Sequence, residues 1–209
     1  MTSNANGYTY KTLDNVTPVA ITSSTNASPI VVTATSHGFA TGDQVQITQH
    51  EVNTAANGTW EVTKVTDNTF SLTKNLASNT ISTGNGVGAN TGQCYKAPKV
   101  LFAEDFKSVQ HAVNTTSSAN VKVLFVASND EEMPDFAQTV SKDNSYDGIQ
   151  LIESQDGDFV DGNTGIVLSG TDINTIYEQN RNKSRWISVK IEDYTAGTVD
   201  IKSTLYSND

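Results

Sequence analysis

Cysteine is almost absent from this chain of 209 residues. One thiol, Cys94, cannot close an internal disulfide or build a cysteine-cluster metal site, and no histidine adjoins it in sequence. Positive charge is also scarce: 13 Lys and Arg stand against 23 Asp and Glu, a net charge of −10. Such a surface repels phosphate backbones, so nucleic acid is not expected as a partner. It suits solubility, docking onto a basic protein surface, or cation binding. No apolar run approaches the roughly 18 residues of a membrane span, and the N-terminus lacks a charged segment followed by an apolar one. The expectation is a chain folded in a cytoplasm, without a membrane partner. Catalytic signatures are missing as well. His37, His50 and His111 are scattered, and neither H-E-x-x-H nor G-x-S-x-G occurs. Gly84 to Gly92 is glycine-rich but satisfies neither phosphate-binding fingerprint. No catalytic residue and no cofactor are assigned, and the expectation is a protein that is not an enzyme.

What remains is strand and turn. Hydrophobic content is 36%, low for a compact globule, while Ser, Thr, Asn and Gly abound; this is the composition of short strands with polar outer faces. Ile30 to Thr35 is β-branched and unbroken by glycine. The turn His37 to Gly42 follows, and then Val45 and Ile47 alternate with Gln44, Gln46 and Thr48, giving one apolar and one wet face. Asp43 can fold its carboxylate back onto nearby N–H groups. A second pair runs from Thr59 to Val65 and from Thr69 to Thr73, with Trp60, Val62, Phe70 and Leu72 as inward candidates. Together these predict a small β-barrel over residues 18–80. Residues 1–17 read as a polar N-terminal arm: either a frayed end, or a strand added to a neighbour's sheet with Tyr8 and Tyr10 as anchors. Residues 81–98 read as a Gly/Asn/Thr-rich linker. Over 99–209 the strand pattern restarts: Val100 to Phe102 and Phe106 to Val109 are short apolar stretches, and Val121 to Ala127, Ile149 to Glu153, Gly165 to Leu168, Arg185 to Ile191 and Thr198 to Ser203 follow. The fold class expected is therefore all-β: a barrel followed by an antiparallel β-sandwich, jelly-roll-like. Trp186 has the wrong parity to share a face with Ile187, Val189 and Ile191, which predicts either a second face turned to a partner or a bulge.

The order H-G-F-A-T-G-D-x-V-x-I over His37 to Ile47, N-G-x-W-x-V over Asn57 to Val62, and D-x-T-F-x-L over Asp67 to Leu72 resembles a small β module of bacteriophage virion proteins. That module is itself described as similar to the first catalytic-cysteine half-domain of ubiquitin-activating enzymes. No enzymatic role carries over, because the stretch contains no cysteine. Tyr146 to Ile152, Asp161 to Ile166, Arg185 to Ile187 and Tyr194 to Val199 likewise resemble a β-sandwich of phage structural proteins. The resemblance implies a virion component, assembled in a host cytoplasm: a capsid decoration or cement protein, or a tail or baseplate accessory. Its partners would be other virion proteins and further copies of itself, as a trimer or higher ring.

Three constellations remain. Asp156, Asp158 and Asp161 are dense oxygen ligands, but the spacing of a helix–loop–helix calcium site fails, since Val167 stands where its bidentate Glu belongs; these Asp-Gly pairs also make turns without an ion. They are weak Ca²⁺ candidates, and no metal is assigned. The acidic run Asn129 to Asp135 reads as a solvated loop or as a docking edge for a basic partner. Trp186 and Tyr194 are the pair to test for stacking on a host glycan, the rival function being a carbohydrate-binding module for host attachment.

Overall fold

The computed structural model describes residues 6–89, 92–116, 118–138, 140–170, 175–180 and 182–207. Strand makes up 52% of the chain and helix 2%, and the strands form curled antiparallel sheets. In order, β1 (Asn6–Val16) precedes β2 (Val19–Ala20), β3 (Ser23–Ser24), β4 (Val31–Thr33), β5 (Gln44–Thr48), β6 (Gly58–Lys64), β7 (Thr69–Asn75), β8 (Gly88–Ala89) and β9 (Gln93–Lys96). Then come β10 (Leu101–Phe102), β11 (Ser108–Thr115), β12 (Ala119–Ser128), β13 (Asp147–Gly148), β14 (Leu151–Glu153) and β15 (Phe159–Val160). The last four are β16 (Ile166–Gly170), β17 (Thr175–Gln179), β18 (Trp186–Ala196) and β19 (Val199–Ser207). They divide into two units, neither continuous in sequence. One joins Thr17–Ala97 to Asp135–Asn144; the other joins Met1–Val16, Pro98–Pro134 and Ser145–Asp209.

The first unit holds one sheet in the order β2-β9-β5-β6-β7-β4-β3-β8. Val19 pairs with Cys94 in β9, while Ser23 pairs with Thr33 in β4. Both flanks of the sheet therefore meet on the one short segment Val19 to Ser24, so the sheet curls back on itself. Ile30, Val32, Val45, Ile47, Trp60, Val62, Phe70 and Leu72 fill its interior, as the alternation demands. The turn before β5 forms as its residues dictate. Asp43 Oδ2 accepts the Ala40 N–H at 2.9 Å, His37 Nδ1 accepts the Phe39 N–H at 3.0 Å, and Gly42 takes a φ of 90°.

Two expectations fail here. Residues 81–98 are not a linker. Cys94 and Tyr95 of β9 are buried between β2 and β5, and Ser82 donates to the Leu72 carbonyl while accepting the Ile30 N–H. A few buried side chains and satisfied backbone groups outweigh the polar composition. Nor is Gln46 on a wet face. Tyr95 Oη donates to Gln46 Oε1 at 2.6 Å, Gln46 Nε2 donates to Thr59 Oγ1 at 3.3 Å, and Thr59 Oγ1 donates to Asp135 Oδ1 at 2.9 Å. This polar ladder lies across β9, β5 and β6 and ends on a residue some 76 positions away in sequence. No local periodicity announces such a cover.

The second unit holds two sheets, β1-β19-β11-β17-β14-β15 and β10-β18-β12-β13, with β16 also paired to β12. Their inner faces meet where Phe125 of β12 lies 4.5 Å from the His111 ring and 6.2 Å from the Tyr177 ring. Along β11 and β19 every second residue is buried: Val109, His111, Val113, Thr115, and Val199, Ile201, Ser203, Leu205. Eight strands carry the frame, namely β1, β10, β11, β12, β16, β17, β18 and β19. Counted from first to eighth, one sheet runs 1-8-3-6 and the other 2-7-4-5.

The N-terminal arm is here a strand of its own chain's sheet. Asn6 to Lys11 pair in register with Ser207 to Lys202. Register shifts after Lys11 and Leu13 then let Leu13 and Val16 both turn inward, where they are buried. Each such burial is worth about 1.5–3 kcal/mol, enough to hold a segment that looks polar by composition.

Candidate functional site

The second unit carries an open cleft of about 810 Å³. It lies where the chain passes from one sheet to the other. β13 pairs with the end of β12, and β14, two residues later, pairs with β17. The crossing is tight. A Cβ on Gly148 would sit 2.2 Å from the Gly162 carbonyl group, and one on Gly162 would sit 2.3 Å from the Ile149 oxygen. Glycine at 148 and 162 is therefore required by backbone contact.

Phe159 on the two-residue edge strand β15 lines the cleft and is 81% exposed. Tyr146 lines it too, with Lys190 Nζ 5.8 Å from its ring centre. From β17 come Glu178 and Gln179. Gln110 Nε2 donates to Glu178 Oε1 at 2.7 Å, and Tyr206 Oη donates to Gln110 Oε1 at 2.8 Å, so the carboxylate is held through two steps. Gln179 Oε1 is buried without a hydrogen-bond partner. No Lys, Arg or His belongs to the described lining.

The residues singled out by sequence lie elsewhere. Trp186 starts β18. Its ring meets Phe102 edge-on at 5.1 Å, and its N–H donates to the Asp130 carbonyl at 3.0 Å. The wrong-parity face is thus covered, in part, by the chain's own β10 and acidic loop. Tyr194, eight residues along the same strand and roughly 26 Å away at the usual rise, donates to the Gly197 carbonyl. The two aromatics do not converge on one ligand. On β1, Tyr8 is 55% exposed and meets the Phe106 ring at 5.9 Å, while Tyr10 lies under Lys99 Nζ at 4.6 Å. Asp156 and Asp158 are exposed, and Asp161 accepts the Asn163 N–H in its own turn. Among the described residues no three His, Cys, Asp or Glu side chains group so as to hold a metal.

The acidic run is not uniformly solvated. Asp130 accepts both the N–H and the hydroxyl of Ser145. Asp135 is 3% exposed and accepts four hydrogen bonds, from Thr59 N–H and Oγ1, Asn75 Nδ2 and Ala137 N–H. The histidines are internal. His37 donates through Nε2 to the Thr66 carbonyl, ordering its turn. His50 shares a hydrogen bond with Ser24 Oγ, and burial pushes its pKa down. His111 pairs through Nδ1 with Ser203 Oγ, and full burial pushes its pKa down to about 3. Burial raises the Cys94 thiol to about 12. A neutral imidazole and a protonated thiol so enclosed are packing groups.

No family model matches the chain, and comparison with curated proteins and with solved structures returns no significant match.

Proposed function

We propose that this protein is a non-enzymatic structural component of a phage virion, a capsid decoration or cement protein or a tail or baseplate accessory, acting through contacts between subunits. The observation that carries the reading is the strand order of the second unit. The orders 1-8-3-6 and 2-7-4-5 are those of a double-sheet jelly roll, an architecture that viral capsid domains and lectins share. The resemblance of His37 to Leu72 to a virion module supports the same reading from the other unit. Architecture does not dictate activity, so the support is one of kind. A physical route to assembly is the rim strand β1, eleven residues long and paired among the described residues only with β19. Outside the Thr12 carbonyl, which accepts the Lys99 N–H at 2.9 Å, its outer edge can add a strand from a neighbour, with Tyr8 as a half-exposed anchor.

Localising the chain in a density map of an intact particle tests this. The expected result is a fixed copy number on a symmetry axis of the shell or tail, with β1 at a subunit boundary. Absence of the chain from purified particles overturns the proposal.

A further inference from the structure

We propose that the cleft between β13, β14, β15 and β17 is a binding site for a neutral oligosaccharide. The lining decides the ligand class by exclusion and by fit. With Asp147 and Glu178 in the wall, and Lys190 set behind the Tyr146 ring rather than in the described lining, phosphates, sulfates and acidic sugars are disfavoured against neutral ligands. A wholly apolar ligand would strand the amides and carboxylates unpaired. A peptide strand has little to pair with, because β13 and β15 offer only two residues each. A sugar ring suits what is left: a flat apolar C–H face on one side and hydroxyls around its rim.

The complementary groups are in place. Phe159 offers a bare aromatic face, 81% exposed, on a strand too short to need it for packing. Such a ring stacks on the apolar side of a pyranose. Phe159, Ile152 and Glu178 are cross-strand partners on β15, β14 and β17 and so share one face of the sheet. Glu178 is oriented in advance by Gln110 and Tyr206, so ordering it costs the complex little. The volume, about 810 Å³, falls in the range of small-molecule sites, and the open side lets a longer glycan run past. The site differs from the Trp186 and Tyr194 pair that the sequence suggested, and it stands whether or not the protein belongs to a virion.

The test is a printed array carrying neutral glucans, mannans and galactans beside sialylated and sulfated glycans, probed with the full chain, followed by calorimetry on the best neutral hit. Binding to at least one neutral glycan is expected, in preference to the acidic set. Phe159→Ala should weaken it about tenfold, the equivalent of one stacking contact. Glu178→Gln should weaken it several-fold, and Trp186→Ala should leave it unchanged. Because Phe159 is exposed, its replacement should keep the circular dichroism and melting of the parent, which separates loss of binding from loss of fold. No binding to any neutral glycan, preference for the acidic set, or indifference to Phe159→Ala overturns the proposal. Sugar binding by a chain absent from particles would sink the virion reading alone.

Discussion

Burial of His111 has a consequence that can be measured. Its ring is neutral in the fold, with a pKa of about 3, and titrates near 6.5 once the chain unfolds. Below that pH the unfolded state binds a proton that the folded state refuses. Stability from this group is full above about pH 6.5 and is lost as the pH falls towards 3, approaching 1.4 kcal/mol per pH unit. Between pH 7.5 and pH 5 His111 should account for a loss of about 2 kcal/mol, read as the difference in that loss between the parent and His111→Gln in urea unfolding, with buried His50 adding to the slope that remains. Asp135 is the other costly residue. Replacing it with Ala strands four donors, and a loss of roughly 1.5–3 kcal/mol or more is expected, read as a lower urea midpoint. Cys94 should ignore thiol reagents until the protein is denatured, since its thiol is buried and its pKa stands near 12. Quantitative labelling of the native protein would refute this. None of the three roles is visible at its own position. The residue types are ordinary, and the partners Ser203, Thr59 and Val19 lie 92, 76 and 75 positions distant.

Strands with alternating or continuous apolar patterns were legible without coordinates. Val45 and Ile47, Trp60 and Val62, Phe70 and Leu72, and the run from Val121 to Ala127 all fall where β5, β6, β7 and β12 form. The turn at His37 to Asp43 was legible too, because its hydrogen bonds are local. The strands that escaped, β1 and β9, are held by pairing to distant segments and by two or three buried side chains each. The cleft escaped for the same reason: no spacing links Tyr146, Phe159 and Glu178, which meet only through the crossing of β13 and β14. That crossing depends on Gly148 and Gly162. Either Gly→Ala substitution should cost about 1–3 kcal/mol, the scale of overpacking, and should distort the cleft. The readout is a lowered melting temperature together with reduced glycan binding.

For the molecule as a whole, the open rim at β1 and the proposed subunit contacts predict self-association. Light scattering on the purified chain should give a multiple of 22.4 kDa, three or more copies in the proposed arrangement. Tyr8→Asp should shift the population towards the monomer with the fold intact. A strictly monomeric parent at high micromolar concentration would leave β1 as an ordinary rim.

Thr12 and Ser203 share a hydrogen bond across 191 positions of chain. On a ribosome, Thr12 of β1 emerges 191 residues before Ser203 of β19, its partner. The sheet that uses both cannot close until β19 has been made, and closure over so long a separation is slow. In the meantime β1 is a tethered ribbon with an unsatisfied edge, available to whichever matching strand arrives first. Among identical nascent chains, the β19 of a sibling matches that edge as well as the chain's own. The rate of translation would then help to set how many molecules finish alone and how many finish interlocked.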